Sequence, residues 1–320
     1  MESIYYSWWT KPDPGGSGTH DCNFKNKIKF VKLVEQSVFL VKKAYPKSEV
    51  VLITDTEGLD FFKDYNIFHR IIPALDDLSS DYKLIWSLGK IKAYEFAAEK
   101  GKPFIHLDND FFISKKFKDD FINSEVFAQS IDEPHHTDNY SNVSKFFELV
   151  KKKPSFILKD LTIEVNGEKR NSIYNMGVFG GQNTSLIKKY SSEVIDMVLN
   201  KENSEYFCAE DKSRGPFEKA CVTEQYSFGS FCHFYGIKPG LLMNEGDLFR
   251  AWQQLDLTLD KYSFVHLQGD VKDIAEEWFD RCLFNKIDKQ PNKIDKQPRK
   301  RAEPFHKPEG STLWPPRKYK

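Results

Sequence analysis

The sequence carries no net charge: over 320 residues Lys plus Arg number 47 and Asp plus Glu number 47. Without a global field of either sign, a nucleic-acid backbone or an anionic membrane finds no electrostatic hold, which disfavours nucleic-acid enzymes. Cysteine is scarce too. Cys22, Cys208, Cys221, Cys232 and Cys282 form no C-x-x-C pair. An odd count in a chain large enough to fold on its own core predicts free thiols in a reducing compartment, acting as small buried hydrophobes. No segment approaches 18 uncharged apolar residues, and the N-terminus MESIYYSWWTKP has no basic region followed by an apolar one. Neither a signal peptide nor a membrane span is expected, and the cytoplasm is the expected location. Several familiar signatures are also missing. Gly89-Lys90 is followed by isoleucine and lacks the earlier glycine of a P-loop, and no G-x-S-x-G elbow occurs. An EF-hand counted from Asp108 would meet Ile113 at its glycine position and Asp119 where glutamate belongs.

What is present alternates. The aromatic run SIYYSWWT, Ser3 to Thr10, predicts a first strand entering the loop KPDPGGSG. From Lys25 to Tyr45, Ile28, Val31, Val34, Val38 and Val41 keep helical spacing until Pro46 stops it. EVVLITDTEG follows as a strand ending near Asp55, RIIPA is another short strand, and Leu84, Leu88, Ile91 and Glu95 mark a helix. Later, VFAQSID and SIYNMGVFGG predict strands, Thr184 to Leu199 and Phe217 to Tyr235 predict helices, and YSFVHLQGDVKD predicts a strand before a last helix, Val271 to Phe284. This order indicates an α/β domain with a mixed, mostly parallel sheet flanked by helices, whose ligands bind beyond the carboxyl ends of the strands. Past that point NKIDKQP occurs twice in tandem, at 285–291 and 292–298, followed by basic, apolar-poor sequence. The expected division is a catalytic domain over 1–284 and an extended or disordered tail over 285–320.

One run sets the chemical question. FIHLDNDFFI, from Phe104 to Ile113, carries Asp108 and Asp110 inside apolar sequence. On an extended chain the two side chains would face one way, about 6.6 Å apart. Two ionised carboxylates at that distance repel by about 2.5 kcal/mol at an effective dielectric of 20. Flanking phenylalanines imply partial burial, so a divalent cation between the carboxylates is one solution. A polar strand-end turn with carboxylates accepting backbone hydrogen bonds is the other.

Two further motifs accompany the D-x-D of HLDND: an N-x-G in YNMGVFGG, and H-x-x-G-x-x-K in HLQGDVK. In order and spacing the three resemble the glycosyltransferases that use nucleotide-sugar donors on a single Rossmann-like domain, the A-type fold. The likeness is to the retaining glycogenin and lipopolysaccharide galactosyltransferase family, and spans the order of elements over roughly residues 1 to 284. It implies a UDP-sugar donor, a glycan or other hydroxyl acceptor, and manganese or magnesium held by Asp108, Asp110 and His266. It also implies that Gly269 and Lys272, with Asp108 and Asn109 of the first motif, hold the donor diphosphate, and that Asn175, beside Gly177, lies near the transferred sugar. By order along the chain, Glu224 and Gln225 fall where related A-type transferases carry an acidic residue near the acceptor. The chain departs from the family after its lysine, where Asp273 and Ile274 replace the usual Pro-Trp.

The chemistry accounts for the set. Cleaving a sugar from a nucleoside diphosphate leaves a charged diphosphate, which a divalent ion and an ammonium group stabilise as charge develops. Mixed oxygen and nitrogen ligation suits manganese better than calcium. Lys90, on the helix before the D-x-D, reads either as a donor contact or as a solvated lysine. Tyr5, Tyr6, Trp8 and Trp9 read either as a platform for a uracil ring or as core, and Asp55 as a ribose or base acceptor or a helix cap. His266 and Asn175 read also as a structural histidine and a satisfied buried turn. Two other functions use comparable parts: a metal-dependent nucleotidyltransferase or phosphohydrolase, and a non-catalytic protein that binds nucleotide sugars or glycans.

Overall fold

The computed structural model describes residues 2–11, 27–131, 148–157, 162–165, 168–171, 173–208, 216–243 and 264–266. All lie within a compact unit, Met1–Cys282; residues 283–320 form a second unit, and the expected tail and the tandem repeat lie outside the described residues.

Strand β1 (Ser3–Trp8) opens the chain, and helix α1 (Lys27–Ala44) leads to β2 (Glu49–Thr54). Val31, Val34, Val38 and Val41 are buried on one stripe of α1, as their spacing predicts, and Lys42 and Lys43 occupy its last turn, where cations oppose the helix dipole. Helix α2 (Thr56–Phe62), β3 (Arg70–Pro73) and α3 (Trp86–Glu99) follow, then β4 (Phe104–Leu107), β5 (Phe111–Ile113) and β6 (Phe127–Ile131). A hairpin of β7 (Thr162–Val165) and β8 (Glu168–Asn171) stands apart as its own two-stranded sheet. β9 (Tyr174–Gly181) and α4 (Thr184–Leu199) bring the chain back, and α5 (Pro216–Cys221), a π-helical turn (Val222–Tyr226) and α6 (Ser227–Tyr235) precede β10 (Gly240–Leu241) and β11 (Phe264–His266).

The main sheet has seven strands in the order β10-β6-β9-β4-β1-β2-β3. β4, β1, β2 and β3 run parallel, β9 runs antiparallel between β4 and β6, and β10 is parallel to β6. The expected mixed, mostly parallel sheet with helices on both faces is therefore present. Strand alternation divides the core. Ile4, Tyr6, Val50 and Leu52 pack toward α1, whereas Tyr5, Val51 and Ile53 pack toward α3, α4 and α6. Both faces are covered, which is why the centres of these strands, Ile4 to Tyr6 and Val50 to Ile53, are apolar on consecutive residues.

The chain reverses its order of laying down strands between β1 and β4. β2 and β3 lie to one side of β1, and the later β4, β9, β6 and β10 to the other. In open α/β sheets that reversal leaves a crevice beyond the carboxyl ends of the strands. Among the described residues no helix is long and apolar enough to cross a membrane. Cys221 and Cys232 are buried and Cys208 is half-buried, all as free thiols.

Candidate metal centre

FIHLDNDFFI is not one extended run. β4 stops at Leu107, a turn closes through the hydrogen bond from Phe111 N to Asp108 O (3.1 Å), and β5 leaves the main sheet. The expectation of two carboxylates on the same side of a strand fails for this reason. The turn instead curls Asp108 and Asp110 toward one point beyond the end of β4. Asp108 N donates to Gly177 O (2.9 Å), which extends the β4–β9 ladder by one bond, and Asn109 Nδ2 donates to Ser7 O (3.0 Å), which ties the turn to β1. The acidic turn thus sits at the reversal point of the sheet.

β5 then pairs antiparallel with β11, three residues against three, with His266 opposite Phe111. Phe111, Phe112 and Val265 are buried, and the Phe111 and Phe264 rings stack with centroids 5.3 Å apart. This small ribbon delivers the imidazole beside Asp110. His266 Nε2 lies 3.3 Å from Asp110 Oδ1 and 3.6 Å from Asp108 Oδ2, while Nδ1 lies 2.7 Å from Gln129 Oε1 on β6. A carbonyl oxygen only accepts, so Nδ1 carries the hydrogen, and in a neutral imidazole Nε2 would then present its lone pair beside two carboxylates. A shared cation relieves that arrangement. One ligand atom from each of Asp108, Asp110 and His266 falls within 4.8 Å of the others, and the set of two oxygens and one nitrogen fits a divalent first-row ion. Gly177 makes room: a Cβ there would collide with both the imidazole and the Gln129 amide.

Behind the carboxylates lies a buried ion pair network. Lys90 on α3 is 8% exposed, and its Nζ lies 2.7 Å from Asp108 Oδ1 and 2.6 Å from Glu224 Oε1. Burial works against its charge, yet the attraction of Asp108 and Glu224 outweighs this and holds the ammonium above its ordinary range. Glu224, in the π-helical turn, is pushed up by burial and pulled back by Lys90. Tyr94 Oη donates to Glu224 Oε1 (3.3 Å) and Tyr190 Oη to its backbone oxygen (2.8 Å). Lys90 takes one oxygen of Asp108 and leaves Oδ2 on the side of Asp110 and His266. Lys90 thus serves two carboxyl groups at once, Asp108 and Glu224.

The other expected residues divide. Asn175, on β9, is buried, and its Oδ1 accepts from Gly177 N (3.0 Å). Gln225 is half-buried next to Glu224. Gly269 and Lys272 lie outside the described residues, as does the last expected helix. Four readings need correction. Tyr6 cannot stack on a base: it is fully buried, and its hydroxyl bonds Ser37 Oγ (2.8 Å), which donates to Phe111 O (2.6 Å). Asp55 caps α2 by accepting from Gly58 N (2.9 Å), and its other oxygen accepts from Thr10 Oγ1 (2.6 Å), so the cap reading replaces the ribose contact. Lys90 is no solvated lysine, and Asn109 turns its amide onto β1.

Sequence reasoning missed Gln129, Tyr94 and Tyr190. Gln129 left a signal, a polar side chain in the middle of the apolar run VFAQSI. The tyrosines left none, because buried aromatic residues on helices are ordinary core.

A model of a family of unknown function, DUF6734, matches residues 4–293 of the chain. No curated protein matches it. Among solved structures, the glycosyltransferase GlyE of Streptococcus pneumoniae TIGR4 is similar over 92% of this chain and 67% of its own, with 12% identity and a TM-score of 0.40.

Proposed function

The chain belongs to the DUF6734 family, and we propose that this member is a metal-dependent glycosyltransferase. In this reading it moves a sugar from a nucleoside-diphosphate donor, a UDP-sugar by the resemblance of its motifs, to a glycan or other hydroxyl acceptor, with retention at the anomeric carbon. The observation that carries it is the meeting of Asp108, Asp110 and His266, 158 positions apart at their ends (266 − 108), at the carboxyl end of β4. Nothing in local folding calls for that meeting, and two carboxylates beside a neutral imidazole are costly without a shared cation.

Asp108, Asp110 and His266 would hold the ion, manganese or magnesium, and the ion would stabilise the departing diphosphate. Lys90 keeps Asp108 turned and tempers the repulsion between the carboxylates. By the resemblance of the motifs, Gly269 and Lys272 would hold the diphosphate, Asn175 would lie near the transferred sugar, and Gln225 would lie toward the acceptor. Glu224 is spoken for by Lys90, so its part is to anchor that ammonium rather than to meet the acceptor.

The test is incubation of the protein with a panel of nucleotide sugars and manganese, following slow donor hydrolysis. Release of a nucleoside diphosphate that stops on chelation is the expected result. Release of pyrophosphate would instead mark nucleotidyl transfer, and donor binding without turnover would mark a binding protein. No binding of any donor overturns the reading.

A further inference from the structure

Gln129 is an unexpected residue for its place. It is fully buried on β6, where its neighbours Phe127 and Ala128 are core. Its Oε1 accepts from His266 Nδ1 at 2.7 Å, while among the described residues its Nε2 has no hydrogen-bond partner. A half-satisfied buried amide is a poor structural choice, because methionine would fill similar space without stranding a donor. What the amide does supply is a constraint on the imidazole. It fixes which ring nitrogen bears hydrogen, and with Gly177 underneath it fixes the ring's rotation.

We propose that Gln129 is a positioning residue that locks His266 in the Nδ1–H tautomer, so that Nε2 is presented to a divalent cation shared with Asp108 and Asp110. The proposal rests on the metal-dependent reading above and deepens it. Histidines that ligate metals commonly donate their second ring hydrogen to a carbonyl or carboxylate, and loss of that partner weakens metal binding by about 10- to 100-fold. Here the partner comes from a neighbouring strand of the main sheet, so the ligand on the β5–β11 ribbon is set by the sheet itself.

The experiment titrates the full-length chain with Mn2+ alone, reading free ion by its electron paramagnetic resonance signal. Gln129→Met should bind Mn2+ about 10- to 100-fold more weakly than the unmodified chain. Its metal-free circular dichroism should match that of the unmodified chain, which separates positioning from loss of fold. Gln129→Glu, whose oxygens likewise accept from Nδ1, should bind Mn2+ at least as tightly as the unmodified chain. Equal Mn2+ affinity in Gln129→Met, or a loss in Gln129→Glu as large as in Gln129→Met, overturns the role of Gln129 and leaves the metal centre standing. Failure of the unmodified chain to bind Mn2+ overturns the metal centre itself, and this proposal with it.

Discussion

Replacing Lys90 by methionine keeps most of the side-chain volume in α3 and removes one buried charge. The ammonium lies 2.7 Å from Asp108 and 2.6 Å from Glu224. At an effective dielectric of about 20, each attraction amounts to about 6 kcal/mol before desolvation. Desolvation offsets much of this, and deleting one partner of a buried cluster while leaving the others in place costs about 3 to 5 kcal/mol. Lys90→Met should therefore lower the unfolding free energy by that amount in metal-free urea titrations, and adding Glu224→Gln should recover part of it. The loss should also depend on pH. Burial raises the Glu224 carboxyl above its ordinary 4.5 and Lys90 opposes this, so the variant raises it further. A raised folded value means that the group's contribution is complete below 4.5 and is lost as pH climbs through the folded value. The deficit of Lys90→Met should thus be small near pH 4 and widen toward neutrality. A loss under about 1 kcal/mol, the range of an exposed ion pair, or a deficit independent of pH, would refute the buried network.

Asp110→Ala should abolish metal-dependent donor binding while the circular dichroism of the fold is unchanged, since the side chain sits in a turn outside the main sheet; retained binding would reject its ligand role. Gly177→Ala should push the imidazole aside and weaken Mn2+ binding at least tenfold, with the sheet intact by the same spectrum; normal affinity would show that His266 does not need that gap. Ser37→Ala breaks the buried chain from Tyr6 to Phe111 O and should cost about 1 to 3 kcal/mol in urea unfolding, because the carbonyl that begins β5 and the Tyr6 hydroxyl both lose a partner; no change would mean that β5 is held by its phenylalanines alone.

Much of the architecture could be read in advance because it rests on periodicity. The valines of α1 and the apolar centres of β1, β2 and β9 obey spacing rules that tertiary contacts do not override. The site was legible only as a set of residue types. The turn at Asp108 was misread because Phe111 to Ile113 looks like a continuation of Phe104 to Leu107, and only the pairing with residues 264–266 reveals a change of sheet. A three-residue pairing across 150 residues of sequence leaves no local trace. Lys90 misled for another reason. The polar stripe of α3 is Lys92, Glu95 and Glu99, spaced i, i+3, i+7, and Lys90 falls off it among the buried Ser87, Leu88, Ile91, Ala93, Tyr94 and Ala97. That offset in WSLGKIKAYEFAAE carried the information. The correction at Tyr6 follows from strand alternation, which sends it to the α1 side with Ile4.

The three-residue strand that carries His266 lies well beyond Leu241, the last residue of the seven-stranded sheet. A polypeptide synthesised only as far as Leu241 already encodes that whole sheet, both aspartates and the Lys90–Glu224 pair, yet has no third ligand to offer. On the proposed reading, ion loading would therefore distinguish a chain that has reached His266 from one that has not, and turnover would wait on the ribosome until residues 264–266 had emerged and paired with Phe111 to Ile113.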